Sequence, residues 1–384
     1  MKKVISIALA LLMVAVMLPV MAMADEATLQ SQINNATSGA TITLGKNYTE
    51  DITIPAGKAI TLDLATFTLT GSSSHTITNN GTLTVVGTTG KVVNNVVSKG
   101  ALFNNVGAIA NLNGGTFEGN TWYVIKNLGT ITMNGASVTQ NDAGSSAIDN
   151  GWYDSTSTSG HGNDCGIVYP GNGYARLTIA NGNFNGGMNT VKNDDYGVLQ
   201  ISGGTFSNTN GPTVLNWNVA TISGGKFTVN NGASSVIANG SYNNEADKGQ
   251  LTITGGEFNS AGGHGALFGY GDGAQHGGNL SITGGFFNGL IPLGDYPYLI
   301  AITGGKFEDI DGAKEYLATG KELDGNGNVV NKPGAPIIIY TPTEDTSKAD
   351  NQKNPSTGAN DFVSVAAAMA VVSLLGAAAV IRKK

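Results

Sequence analysis

A phrase returns along this chain: an alternating apolar and polar run, two small residues, one variable residue, then an aromatic. It is seen at Leu199 to Phe206 (LQISGGTF), Ala220 to Phe227 (ATISGGKF) and Leu251 to Phe258 (LTITGGEF). It comes back from Leu280 to Phe287 and from Ile300 to Phe307, with looser copies ending at Phe117, Val138 and Phe184. Self-similarity at such a period is the mark of a repeat architecture, in which each unit buries its apolar face only by stacking on the next. In Leu251-Thr252-Ile253-Thr254 the apolar residues alternate with hydroxyls, the period of a strand with one buried face. Gly255-Gly256 then permits a turn at positive φ, after which Phe258 returns to the interior. Each copy thus predicts one corner of a coil, with its Phe stacked on the Phe of the coil below.

A second ladder sets the period. Aliphatic-x-Asn phrases end at Asn79, Asn104, Asn127, Asn150, Asn193, Asn216 and Asn239, spaced by 25, 23, 23, 43, 23 and 23 residues. One coil is therefore about 23 residues long, and a single coil carries a long insertion. The Asn residues are expected at left-handed corners, hydrogen-bonded up and down the stack, a structural role.

Two strand phrases per coil, Gly and Asn corners and few prolines point to a parallel β-helix. In these ladders, and in its opening, the chain resembles the pectin-lyase-like right-handed β-helix proteins. The resemblance implies an all-β fold, a single-stranded right-handed parallel β-helix of about 11 coils. Residues 25–40 hold apolar positions at helical spacing and look like the amphipathic helix that covers the N-terminal end of such stacks. The β-helix with its C-terminal cap is expected over 41–331, the cap itself from Asp311 to Asn331, and a Pro-bearing stalk over 332–353.

The two ends bear on location. Residues 1–24, with Lys2-Lys3, an apolar run and Ala22-Met23-Ala24, read as a secretory signal peptide cleaved between Ala24 and Asp25. Residues 354–384 hold Asn354-Pro355-Ser356-Thr357-Gly358, an apolar segment over 362–381 and the basic end Arg382-Lys383-Lys384. This order resembles the cell-wall sorting signals of Gram-positive surface proteins, although the common motif begins with Leu where this chain has Asn354. An apolar span of about 20 residues halts in the bilayer with the pentapeptide outside. The resemblance then implies a sortase that cleaves between Thr357 and Gly358 and passes Thr357 to a peptidoglycan precursor.

The formal charge of the whole chain is −7. Without the two terminal segments it falls to about −11, a poor surface for nucleic acid. Cys165 is the chain's one cysteine, so no internal disulfide is available and stability must come from stacking.

Ligand-facing residues are expected around the insertion, which spans about 151–173 and holds Trp152, Tyr153, His161, Asp164, Cys165 and Tyr169. The Asn register puts Asp194, Asp195, Tyr196, Trp217, Tyr242, Tyr270 and Asp272 on one flank beside it. Aromatic faces stack on sugar rings and carboxylates accept hydroxyl hydrogen bonds, so Trp152, Tyr153, Asp194, Trp217 and Tyr270 are candidates for binding a glycan or a host surface protein. The plainer reading is that these aromatics pack the loop onto the coils.

An enzyme is the alternative. Asp194-Asp195 and Gly263-His264-Gly265 resemble parts of polygalacturonase-like hydrolases, but His264 lies about three coils away. Arg176, the lone arginine between the terminal segments, has no Arg-x-Lys companion. Asp149, Asp194 and Asp195 are left as candidate carboxylates for a neutral glycan, unless Lys126, Asp149 and Lys192 form a structural ion-pair stack. His264, His276 and Asp272 lack regular metal-ligand spacing, so neither a metal nor a cofactor is expected. A spacer without ligand is the third reading.

Overall fold

The computed structural model describes residues 27–152, 165–167, 169–230, 234–240, 249–261, 265–269, 279–291 and 300–334. The segments read above as signal peptide and sorting signal, and the expected stalk beyond 334, lie outside them. Among the described residues, no helix is long and apolar enough to cross a membrane.

The chain winds into a parallel β-solenoid of about 10 turns, with very little helix. A turn in mid-stack runs through three strands, as in Val219–Ile222, Lys226–Val229 and Ile237–Asn239. Strands of the third kind form a separate nine-stranded sheet running from Ile52–Ile54 to Leu267–Gly269. The other two kinds join in a twenty-stranded sheet, because Thr130–Gln140 and Ala175–Gly186 run unbroken through the corner between them. The sequence reading of two strands per coil is thus corrected to three. Past the glycine corner, the residues flanking each Phe pair in a ladder of their own.

The two glycines of each corner are needed for different reasons. Gly225 has φ +108°, in the region that disfavours a side chain. Gly224 instead lies so close to the coil below that a Cβ would sit 2.4 Å from the carbonyl oxygen of Ser202.

Inside, Phe184, Phe206, Phe227, Phe258, Phe287 and Phe307 stack in sequence with ring centroids 4.6–5.0 Å apart. That is close to the strand spacing, so each ring sits directly on the one before. Phe117 and Val138 carry the same column upward in register with Phe184. The loose copies of the phrase are therefore true rungs.

The Asn ladder is continuous. Each Nδ2 donates to the Oδ1 of the next Asn, from Asn79 through Asn239, at 2.7–2.8 Å. One expectation is corrected: positive φ among non-glycine residues is confined, in the described chain, to Ala65, Ser98 and Tyr196. The Asn residues end three-residue strands in extended conformation and point inward, where Nδ2 also donates to backbone oxygens such as Arg176 O and Val219 O. Inward amides with both ends occupied carry the chain round the bend without an unsatisfied polar atom.

The N-terminal helix spans Leu29–Asn35, shorter than the 25–40 read from sequence, with Thr28 as N-cap. Leu29 and Ile33 are fully buried over the first turn. The side chain of Gln30 acts as a substitute strand: its Oε1 accepts from Thr53 N at 2.6 Å and its Nε2 donates to Thr53 O at 3.1 Å. The exposed edge of the first rung is thereby paired. At the other end, a hairpin of Lys321–Leu323 and Val329–Asn331 follows the short helix Ile310–Lys314. Val329 N donates to Gly305 O and Phe307 N to Gly327 O, which covers the last coil.

Candidate functional site: an aromatic band over a buried charge cluster

In the nine-stranded sheet the middle residue of each strand faces away from the solenoid interior. In register these residues are Thr78, Phe103, Lys126, Asp149, Lys192, Leu215 and Ala238. Outward residues of a solenoid are ordinarily wet, yet Phe103 to Ala238 are all buried. A second small core explains this. Phe103, Leu128, Trp152 and Ala175 pack together, flanked by Trp122, Cys165, Ile167, Tyr169 and Tyr196 from the turns and the insertion. The described residues of the insertion, Trp152, Cys165, Ile167 and Tyr169, thus pack across the outside of the narrow sheet.

The aromatics form a band along the stack. His75 stacks on Phe103 at 4.8 Å, Trp122 lies 5.2 Å from His75, and Tyr123 lies 4.8 Å from Trp122. One coil on, Lys126 Nζ is 5.0 Å from the Tyr123 ring centroid. Trp152 meets Tyr169 edge-on at 5.2 Å, and Tyr169 lies flat on Tyr196 at 3.5 Å. Trp217 closes the series, with Lys192 Nζ 3.8 Å from its ring centroid. Trp122, Tyr123, Tyr169, Tyr196 and Trp217 are all half-buried, so each keeps surface toward solvent.

Tyr196 stands where geometry calls for glycine. Four-residue turns follow several of the three-residue strands, closed by Lys58 N to Pro55 O, Ala108 N to Asn105 O and Gly197 N to Asp194 O. The third residue of the first two turns is Gly57 or Gly107, at φ +74° and +75°. In the third it is Tyr196, at φ +57°. A bulky side chain in that region costs about 1–2 kcal/mol. Sequence reasoning placed Tyr196 on the flank but missed the strain. The signal was present, since Tyr196 follows Asn193 at the offset by which Gly107 follows Asn104.

Beneath the band lies a charge cluster. Lys126 Nζ donates to Asp149 Oδ1 at 2.6 Å, and neither side chain has any exposure. Lys192 Nζ donates to Asp194 Oδ2 at 2.8 Å, and Asp194 Oδ1 accepts from Asp195 N at 3.0 Å. The expected ion-pair stack is therefore a cluster in which each lysine has its own carboxyl partner. Burial pushes the Asp194 carboxyl up to about 8; Lys192 and Lys126 pull it down, and Asp149 and Asp195 push it up.

Searches against protein-family models, curated proteins and solved structures find no match to this chain. The site must be read from its own geometry.

The structure brings Trp152, Asp149, Asp194, Asp195 and Trp217 into one neighbourhood, with Trp152 N donating to Asp195 O at 2.9 Å. It does not offer all of them to a ligand. Trp152 is 3% exposed, and Asp149 and Asp194 not at all, so they sit under the band and not on it. Tyr153, Tyr270, Tyr242, His161, Asp164, His264, Asp272 and His276 lie outside the described residues, as do Ala24, Asp25 and Asn354, Pro355, Ser356, Thr357 and Gly358. Among the described residues, no cluster of His, Cys, Asp or Glu is arranged to hold a metal.

Proposed function

We propose that this protein is a secreted β-helix, joined covalently to a Gram-positive cell wall through Thr357, that presents the aromatic band as a glycan-binding surface. The observation that carries the binding reading is Tyr196. A tyrosine held at positive φ in a turn where sibling coils use glycine is strain retained for what the side chain does. Its ring, stacked on Tyr169 and edge-on to Trp152, belongs with half-buried Trp122, Tyr123 and Trp217 to a set of aromatic faces on which pyranose rings can pack. The acidic surface favours a neutral or cationic glycan over a uronate polymer.

A wall-attached hydrolase is less well supported. Acid/base cleavage needs carboxyls that reach the glycosidic oxygen. Asp149 and Asp194 are fully buried and each accepts from a lysine.

Calorimetric titration of the protein with neutral and amino-sugar oligosaccharides, with a reducing-end assay on every positive, tests the binding reading. Saturable binding without product, weakened at least tenfold in Tyr196→Gly, supports it. Product formation replaces it with the hydrolase, and no binding across the panel leaves a spacer. Attachment is tested separately in a Gram-positive host with an active sortase. Thr357→Ala is expected to shift the protein from the wall digest to the membrane and medium; an unchanged wall fraction refutes covalent anchoring at Thr357.

A further inference from the structure

A buried salt bridge ordinarily contributes little, because desolvating two charges offsets most of their attraction. Lys126 and Asp149 are therefore unusual. They face each other in register on adjacent strands, both without solvent exposure, in a solenoid whose other outward rungs include Thr, Phe, Leu and Ala. Their contact, Nζ to Oδ1 at 2.6 Å, puts the nitrogen about 3–3.5 Å from the carboxyl carbon, the separation of a near-attack pair. A third carboxyl, Asp194, is within electrostatic reach of both.

We propose that Lys126 and Asp149 condense to an intramolecular amide, a covalent cross-link between neighbouring coils. The step needs no outside reagent. Within the contact one proton passes from the Lys126 ammonium to the Asp149 carboxylate, leaving two neutral groups, which a water-poor site favours. The Nζ lone pair attacks Cγ, the C–N bond forms, and a carboxyl oxygen leaves as water carrying two protons that were on Nζ. Lys-NH3+ and Asp-COO− thus become one amide and one water, with no change of oxidation state. Asp194, which interacts electrostatically with both groups, is the carboxyl that relays the second proton from the nitrogen to the leaving oxygen. Neither Lys126 nor Asp149 has any solvent exposure, which keeps bulk water from the reverse hydrolysis. Lys192 and Asp194 are a poorer pair: they are two residues apart in one chain segment, and the ammonium is also held against the Trp217 ring.

The link would close a loop of 23 residues at the coil immediately before the insertion. A cross-link of this kind constrains the unfolded chain as a disulfide does, in a protein whose sequence holds one cysteine.

Peptide mapping of the full-length protein, denatured before digestion, decides the matter. Between residues 100 and 176 trypsin has two sites, Lys126 and Arg176. An acylated Lys126 is not cleaved, so the expected product is an intact 100–176 fragment lighter by one water, about 18 Da, with fragmentation assigning the loss to Lys126 and Asp149. Recovery of linear 100–126 and 127–176 at their sequence masses overturns the proposal, as does a water loss mapped to Lys192 and Asp194. Because the unsubstituted protein gives this answer, it does not depend on any variant folding. In a refolding time course, Asp194→Asn is expected to slow appearance of the linked fragment at least tenfold, and an unchanged rate removes Asp194 from the reaction.

Discussion

Asn150 Nδ2 donates to Asn193 Oδ1 at 2.8 Å across 43 residues of sequence, the same distance that joins Asn104 to Asn127 across 23. The insertion between them therefore leaves the Asn ladder unbroken. It leaves at one rung and returns at the next without disturbing the ladder, which is why a long loop can be carried on so regular a scaffold.

Replacing Asn150 by Ala removes a donor and an acceptor from the middle of that ladder. Asn127 Nδ2 and Asn193 Oδ1 then each lose a buried partner. Asn127 Nδ2 keeps its bond to Arg176 O, so the change removes two buried hydrogen bonds and is expected to cost about 2 kcal/mol, read as a lower urea midpoint. A change within about 0.5 kcal/mol shows that water replaces the amide and that the ladder is not a major source of stability.

The corner glycines separate steric from conformational cost. Gly107 has φ +75°, and a Cβ added there would find open space, with nothing within 4 Å. Gly107→Ala therefore meets only the backbone penalty, about 1 kcal/mol. At Gly224 the added Cβ meets the Ser202 carbonyl of the coil below, and that neighbour is backbone held in a ladder. Gly224→Ala is expected to cost about 3 kcal/mol, and equal urea midpoints for the two variants refute the close-stacking account.

Phe227 lies between Phe206 at 4.6 Å and Phe258 at 5.0 Å, with no exposure. Phe227→Ala is expected to destabilise by about 3–5 kcal/mol. Because each coil contacts only its neighbours, the loss should be local. Hydrogen exchange is expected to accelerate in the strands holding Phe206, Phe227 and Phe258 before it does around Leu62; uniform acceleration along the stack indicates one cooperative unit instead.

The fold was legible because stacking makes every coil repeat the same demand. Phe206, Phe227 and Phe258 occupy equivalent positions, and Asn193, Asn216 and Asn239 do likewise, so a single alignment of the sequence on itself gives the rungs. Backbone conformation was less legible. Asn is at home both in a left-handed corner and at an inward strand end, and only the structure shows that Asn127 and its siblings take the second. At the candidate site, register put Asp194, Asp195, Tyr196 and Trp217 on one flank. It did not reveal that Trp152 and the insertion turn the flank inward, because what covers an outward residue is a tertiary fact with no period in the sequence. The pairing of Lys192 with Asp194, two residues further along its own chain, was hidden for a related reason: a ladder read across coils looks past contacts within one.

Two titrating groups, half-buried His75 and buried Asp194, set opposite edges on the pH dependence of stability. Burial, aided by the nearby Lys99, pushes the His75 imidazole down from 6.5 to about 4, while its Nδ1 accepts from Gly100 N at 3.0 Å. The unfolded chain therefore takes up a proton at His75 before the folded chain does, and this group's stabilisation is lost as pH falls from about 6.5 to 4. Asp194 has the reverse sign. Its folded carboxyl keeps its proton up to about 8, whereas the unfolded one releases it near 3.8, so its contribution is present at low pH and lost as pH rises between those values. Thermal midpoints measured across this range are expected to fall toward both ends. His75→Gln, which keeps an acceptor for Gly100 N, should flatten the acid side alone, and Asp194→Asn the alkaline side alone. If Asp194→Asn leaves the alkaline slope intact, the folded carboxyl is already ionised at neutral pH, and its contact with Lys192 is then an ordinary salt bridge.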